Sequence, residues 1–445
     1  MENAKMTRRD FHKSAALGAV SLAMSPGPLV RNVLGANDRI GVGLIGAGGQ
    51  GRYNLGSFIR TGQVDPMAIA EVYDLRLNEA LAGLEQPPGK VKAYKDFRKL
   101  LEHKDIDAVI VATPEHWHAI PTIAACEAGK DVYVEKPISH TIHEGRKMVE
   151  AAAKYNRVVQ CGTQQRSGVH FQKVAELLRG GKIGRITAAA TWVLLGTSQQ
   201  SRLRTPLPDS DPPAGLDWDT WLGPAPFHPY NRNRHMGWGG FWETGGGEMT
   251  NWAPHLIDMV HWAMGVDAPR TVVTSGGRFI TAGVFETPDT IEAVYEYPGT
   301  PVNENGFLVN FYSRNGRGPD GHSYGMEFYG TGGTLYVNRE GYTIWPSDPV
   351  KDGWETFGNT TVTTGDGTPQ HQPHVVNFLE CVRSRKKPNS DIETTHRTTS
   401  ACILGNLSLR LGRKLRWDSQ HEKFIDDPEA DKLLTKEYRK PWVVA

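Results

Sequence analysis

The chain has 445 residues, long enough for two or three domains with ample core. A formal charge of +1 and a hydrophobic fraction of 39% demand no nucleic acid and no membrane surface as a partner. Four cysteines (Cys126, Cys161, Cys381, Cys402) form no Cys-x-x-Cys pair. No zinc spacing appears, so no metal is expected, and no apolar run is long enough for an internal transmembrane helix.

The first segment, Thr7-Arg8-Arg9-Asp10-Phe11-His12-Lys13, places twin arginines before the small, apolar run Ser14 to Met24. It resembles a bacterial twin-arginine export signal over residues 1–36, with cleavage after Ala36. That reading implies passage through the twin-arginine translocation machinery and a periplasmic or extracytoplasmic destination.

Ile40 to Gly51 reads IGVGLIGAGGQG, an uncharged run that predicts a buried strand and then Gly46-x-Gly48-x-x-Gly51. Gly46 allows the tight turn, Gly48 lets a pyrophosphate approach bare backbone, and Gly51 lets the next helix pack closely. Gly49 and Gln50 open that helix, whose N-terminus favours anions. A second apolar run, Pro66 to Tyr73, ends at Asp74, about 20 residues on, where a ribose-binding acid is expected. Asp74 favours NAD over NADP, and Arg76 keeps NADP open.

From Ile40 to about Val159, short apolar runs alternate with helical stretches, as in a doubly wound α/β sheet. Strands are predicted at 40–45, 67–73, 107–112, 131–134 and 157–161, and helices at 49–61, 76–84, 96–103, 115–128 and 141–155. The third strand runs into Thr113-Pro114-Glu115-His116-Trp117-His118, a loop that should face the cofactor; His118 either lines it or only caps the next helix. The next strand ends in Glu135-Lys136-Pro137, where Lys136 can present a fixed ammonium to a substrate oxygen.

After Cys161 the pattern changes. A helix at 170–180 and a strand at 185–195 precede a proline-rich loop region, 196–238. Alternating runs at 271–279, 289–297, 306–312, 326–330 and 334–337 predict an antiparallel sheet with turns at Gly332-Gly333 and Pro319-Asp320-Gly321. Helices at 372–385 and 394–411 follow, the last apolar enough on one face to pack back on the first domain.

Gly245-Gly246-Gly247 leads into a predicted helix near Thr250 that places Asn251, His255 and Asp258 on one face, with Pro254 tolerated in the first turn. His255 is suited to taking a hydroxyl proton, and Asp258 reads as an orienting or structural acid. Six of the twelve tryptophans (Trp218, Trp221, Trp238, Trp242, Trp252, Trp262) lie nearby. Their faces fit either sugar rings or the core, and Arg202, Arg204, Arg232 and Arg234 are placed to meet hydroxyls or acids. Arg166, Arg234, Trp238, Trp252 and Asp258 are the candidate substrate contacts.

With the glycine motif, Thr113-Pro114, Glu135-Lys136-Pro137 and the triple glycine before His255 in place, the chain resembles the glucose/fructose oxidoreductase and inositol dehydrogenase family, Gfo/Idh/MocA, over about 40 to 415. The resemblance implies an N-terminal Rossmann doubly wound parallel sheet and a C-terminal α/β domain with a large, mostly antiparallel open sheet. Beside the export segment at 1–36, it implies an NAD domain at 37–160, a substrate and oligomerisation domain at 161–390 and a returning helix at 391–415, which leaves a tail at 416–445. It further implies a carbohydrate substrate, a homodimer or homotetramer, Lys136 as the alkoxide-steadying lysine and His255 as the acid/base histidine. Asn251 stands where the family usually has Asp, and an amide cannot share a proton. The expected activity is NAD-dependent hydride transfer on a sugar with a tightly bound cofactor. The alternatives are redox-neutral glycoside cleavage and a non-catalytic, cofactor-bearing binding protein.

Overall fold

The computed structural model describes residues 39–444 apart from 85, 88, 195–204, 281–282, 319–320 and 348–360. The export segment, Arg202, Arg204 and the Pro319-Asp320 turn lie outside the described residues. Six parallel strands form the first sheet: β1 (Ile40–Ile45), β2 (Val64–Ala70), β3 (Lys92–Tyr94), β4 (Ala108–Val111), β5 (Asp131–Val134) and β6 (Val159–Cys161). Their order is β3-β2-β1-β4-β5-β6, with helices α1 (Gly49–Arg60), α2 (Asp74–Ala82), α3 (Phe97–Leu101), α4 (Ala119–Glu127) and α5 (Ile142–Lys154) between them. Every residue of β1, β4 and β5 is buried, which is why these strands read as continuous apolar runs rather than alternations. A capping box between Thr141 and Glu144 starts α5.

The register corrects one boundary that matters. β2 pairs with β1 only as far as Ala70 opposite Ile45, and with β3 as far as Ala70 opposite Tyr94. The chain then leaves the sheet, so Glu71 follows the strand and Asp74 begins α2. The helix expected at 115–128 is likewise split into a 3-10 turn, Glu115–Trp117, and α4.

The chain continues through α6 (Val169–Arg179), β7 (Ile186–Leu194), the short helices α7 (Trp218–Leu222) and α8 (Arg232–Met236), then α9 (Glu248–Asn251) and α10 (Ala253–Met264). The single helix expected from Thr250 is therefore broken at Trp252, because Pro254 supplies no N–H to the preceding turn. The second sheet adds β8 (Thr271–Gly277), β9 (Thr290–Tyr297), β10 (Phe307–Arg314), β11 (Tyr324–Gly330), β12 (Gly333–Asn338), β13 (Gly341–Pro346) and β14 (Thr363–Asp366). After α11 (His371–Ser384) and α12 (Ile392–Leu411), β15 (Leu415–Asp418) and β16 (Lys423–Phe424) complete it. Its order is β14-β13-β12-β11-β7-β10-β9-β8-β15-β16, antiparallel throughout except where β7 runs parallel to β10. The fold is a Rossmann domain joined to an open, mostly antiparallel sheet.

One face of the large sheet is buried under α6, α10 and α12, in a core that includes Phe171, Leu256, Phe311, Phe328 and Leu404. Each such side chain contributes about 1.5–3 kcal/mol by leaving water. Two further clusters cover the two faces of the parallel sheet. Helix α12, capped by Asp391 at its start and by left-handed Gly412 at its end, packs on α5 of the first domain and on α10 and β8 of the second. It locks the two sheets together and so fixes the crevice between them. No helix among the described residues is long and apolar enough to cross a membrane.

Candidate active site

A cleft of about 970 Å³ opens beyond the carboxyl ends of the parallel strands, where ligands of doubly wound sheets bind. Its floor is the turn from β1 into α1. Gly46 has φ +89°, which an L side chain rarely adopts, and a Cβ on Gly51 would fall 2.0 Å from the Gly46 carbonyl oxygen. Gly51 thus packs the helix on the strand without lining the cleft, whereas Gly46, Gly48, Gly49 and Gln50 do line it. Beside Gly48 and Gly49 there is open space, no side chain caps α1, and its first turn carries no acid. Free backbone N–H groups at a helix N-terminus fit a pyrophosphate. Thr113 and Pro114 face the same space, and the Thr113 hydroxyl is a buried oxygen with no hydrogen-bond partner among the described residues. The donor set suits a dinucleotide.

Of the acids that follow β2, Glu71 rather than Asp74 lines this cleft. Its carboxylate accepts from the Ala47 N–H at 2.7 Å and the Tyr73 N–H at 2.9 Å, and burial raises its pKa. Each oxygen keeps a lone pair for a ribose hydroxyl. Asp74 is half exposed and does not line the cleft; it pairs at 2.6 Å with Lys95, which does. Arg76 lines the cleft but also meets Glu79 at 3.1 Å.

His118 joins two loops: its Nδ1 lies 2.6 Å from the Pro137 carbonyl and its Nε2 lies 2.8 Å from that of Thr113. Burial lowers its pKa. Glu135 ties β5 to α1, accepting from Asn54 Nδ2 at 2.8 Å and Gln50 Nε2 at 3.1 Å. Next to it the Lys136 ammonium donates to the Asn251 carbonyl at 2.9 Å and to Asn251 Oδ1 at 3.0 Å. Lys136, Asn251 and His255 all line the cleft. His255 is buried, its Nδ1 has no partner among the described residues, and burial, Arg339 and Lys136 hold its pKa well below the ordinary value. A neutral imidazole and an anchored ammonium thus face one space, able to accept a proton and to steady an oxyanion.

The substrate candidates divide. Trp238 lines the cleft. Arg166 and Asp258 form a buried, bidentate pair, with Nε to Oδ2 at 2.7 Å and a terminal nitrogen to Oδ1 at 2.9 Å, away from the cleft. Arg234 is held by Glu243 at 3.2 Å and Glu286 at 3.4 Å, over the Phe241 ring. Trp252 does not line the cleft but lies 5.2 Å beneath the Arg339 guanidinium, which does. Trp218 and Trp221 stack on each other, 4.7 Å apart, both buried, and Trp221 also lines the cleft, while Trp242 meets Arg410 and Trp262 meets Arg166.

Arg339, Gln164, Gln370 and His371 line the cleft from distant parts of the sequence, with no local motif to announce them. Trp442 also lines it, packed edge-on against Trp117 at 4.7 Å with Arg98 over its ring at 5.3 Å. Tyr438 and Trp442, two aromatics in a charged tail, were the available signal.

Two family models match. The oxidoreductase family NAD-binding Rossmann fold covers residues 40–163, and the C-terminal α/β domain of the same family covers 192–276 and 359–444. A glycosyl hydrolase family 109 protein of Shewanella pealeana is 30% identical over 206 residues, 41% of this chain and 44% of that protein. Myo-inositol 2-dehydrogenase of Thermotoga maritima is 31% identical over 144 residues, 32% of this chain and 42% of that protein. The chain therefore spans less than half the length of these two relatives. A solved levoglucosan dehydrogenase, in complex with NADH and levoglucosan, has the same fold, with TM-score 0.63 and 18% identity over 85% of this chain and 99% of that one. With both domain models matched in order and the glycine turn, Lys136 and His255 gathered in one cleft, this chain belongs to the Gfo/Idh/MocA oxidoreductase family.

Proposed function

We propose that the chain is an NAD-dependent oxidoreductase that transfers hydride at a hydroxyl-bearing carbon of a sugar or sugar derivative. The observation that carries this reading is the convergence of an anchored Lys136 and a neutral His255 on the cleft that begins at the glycine turn. NAD supplies the hydride acceptor when bound. Gly48, Gly49 and the start of α1 hold its phosphates, Glu71 holds a ribose diol and disfavours a ribose phosphate, and Thr113 and Glu135 border its path to Lys136. His255 takes the hydroxyl proton as Lys136 donates to the developing alkoxide. Arg339 and Trp238 border the sugar.

The twin-arginine pattern supports export of the folded protein with its cofactor enclosed, and a retained cofactor must be regenerated in place, by reducing a second sugar. The likeness to a family 109 glycosidase favours a second reading, in which transient oxidation permits elimination and water addition with no net redox change. Exposed Val273, Leu308 and Tyr329 on the open sheet support pairing with further copies of the chain.

The test is to purify the protein without added nucleotide, denature it and identify what is released, then assay sugars and glycosides. Stoichiometric NAD(H), and a fall of roughly 10²-fold or more in turnover for Lys136→Met and for His255→Ala, are expected. A lactone or ketose with a reduced partner supports the leading reading, and a free sugar without net redox supports the second. Parental turnover in either variant sinks the assignment of these residues.

A further inference from the structure

The contact that anchors Lys136 continues inward. Asn251 is neutral, yet its amide nitrogen donates to Glu248 Oε2 at 3.1 Å, three residues back on the short turn of α9. Glu248 is buried, and Lys136 lies within its electrostatic reach. An asparagine amide has two nearly isosteric ends, and its orientation is set by its partners. A carboxylate that can only accept fixes the nitrogen end inward and leaves Oδ1 toward Lys136. The ammonium has three N–H groups; two are taken by the Asn251 carbonyl and Oδ1, so the third is left for the cleft.

This argument rests on the reading of Lys136 as the group that meets the substrate oxygen. We infer that Glu248 is a positioning residue for that reaction: through Asn251 it fixes the orientation of the Lys136 ammonium and supplies the negative charge behind it. The titratable groups that share this region are Glu115 from the loop after β4, Lys136 after β5, His255 on α10 and Arg339 across the cleft. Burial pushes the Glu248 carboxyl up to about 7, against the pull of Asn251 and Lys136, and Glu115 sits at about the same value. Acidification therefore protonates Glu248 and removes the charge behind Lys136.

The experiment compares the pH dependence of kcat/KM for the parent, E248Q, N251D and the double variant E248Q/N251D, each as the nucleotide-bound full chain. E248Q is expected to lose about 10- to 100-fold in kcat/KM, with its nucleotide content unchanged and the acid limb of the profile moved. The double variant returns a carboxylate to Lys136 by direct contact, so it is expected to regain most of the loss, with its acid limb at lower pH than the parent's. A parental profile in E248Q overturns the inference, as does a double variant no better than E248Q. Should E248Q not accumulate as folded protein, N251D alone carries the test: two adjoining acids share a proton, so the acid limb moves, and an unmoved limb overturns the inference. Lys136→Met separates the two levels, because parental turnover there removes the reading of Lys136 itself, whereas an inactive Lys136→Met beside a parental E248Q removes only the role of Glu248.

Discussion

Replacing Arg166 by Met tests whether the Arg166–Asp258 pair belongs to the architecture or to the chemistry. Asp258 has no exposed surface and Arg166 very little, and two short contacts join them. Without the guanidinium, the Thr398 hydroxyl, at 3.0 Å, is the one side-chain donor left to the carboxylate among the described residues. Breaking a buried pair on one side costs about 3–5 kcal/mol, because an uncompensated charge is left out of water. The double variant Arg166→Met with Asp258→Leu removes both charges and should lose clearly less than the sum of the two single changes. Denaturant unfolding of the four proteins gives the coupling energy, and steady-state kinetics on the folded enzyme give the functional arm. Turnover and KM are expected to stay within about threefold of the parent, since neither residue lines the cleft. A parental unfolding midpoint in Arg166→Met, accompanied by lost turnover or a large rise in substrate KM, would show that the guanidinium acts on substrate and would refute this reasoning.

Two further outcomes follow from the geometry. Burial raises the Glu115 carboxyl from 4.5 to about 7, so its contribution to stability is fully present below about pH 4.5 and is lost as pH rises through about 7, a loss of about 3 kcal/mol. Glu115→Gln should match the parent in unfolding free energy at pH 4.5 and exceed it at pH 8; an equal gap at the two pH values contradicts the burial argument. In the wall of the cleft, Trp442→Ala removes the aromatic cover that meets Trp117 and Arg98. Dilution of NADH-loaded protein, followed by nucleotide fluorescence, should then show release faster by about 3- to 10-fold, and an unchanged release rate would remove the tail from the binding surface.

What was legible in the sequence is what is encoded locally. The run of β1 and its glycine turn declares itself because both faces of the strand are buried and the turn needs positive φ at Gly46, and both requirements act over a dozen residues. The acid beyond β2 was misplaced by three residues for a non-local reason. The apolar character continues through Val72 and Tyr73, but those residues leave the sheet to meet a segment some 140 residues further on, with Tyr73 bridging Leu216 and the Asp217 N–H donating to the Val72 carbonyl. No periodicity in 66–74 reports that partner, so the strand reads too long and its terminal acid too late.

The same limit governs the second motif. A continuous helix from Thr250 would carry Asn251, His255 and Asp258 along one face into one site. The break at Trp252 lets Asn251 end α9 against Lys136 while α10 sets off anew, with His255 still at the cleft and Asp258 one turn deeper, against Arg166. Proline at 254 signalled the interruption, but where each side chain then points depends on α6, α12 and the 3-10 turn that carries Arg166, all of which pack from outside the motif. The chemical types in a motif are thus readable from the chain, whereas their division between catalysis and scaffold is decided by whichever distant element supplies the counter-charge. For Asp258 that element supplies a guanidinium and closes the pair; for Lys136 it supplies only an amide, with Glu248 behind it, and leaves one N–H for the cleft.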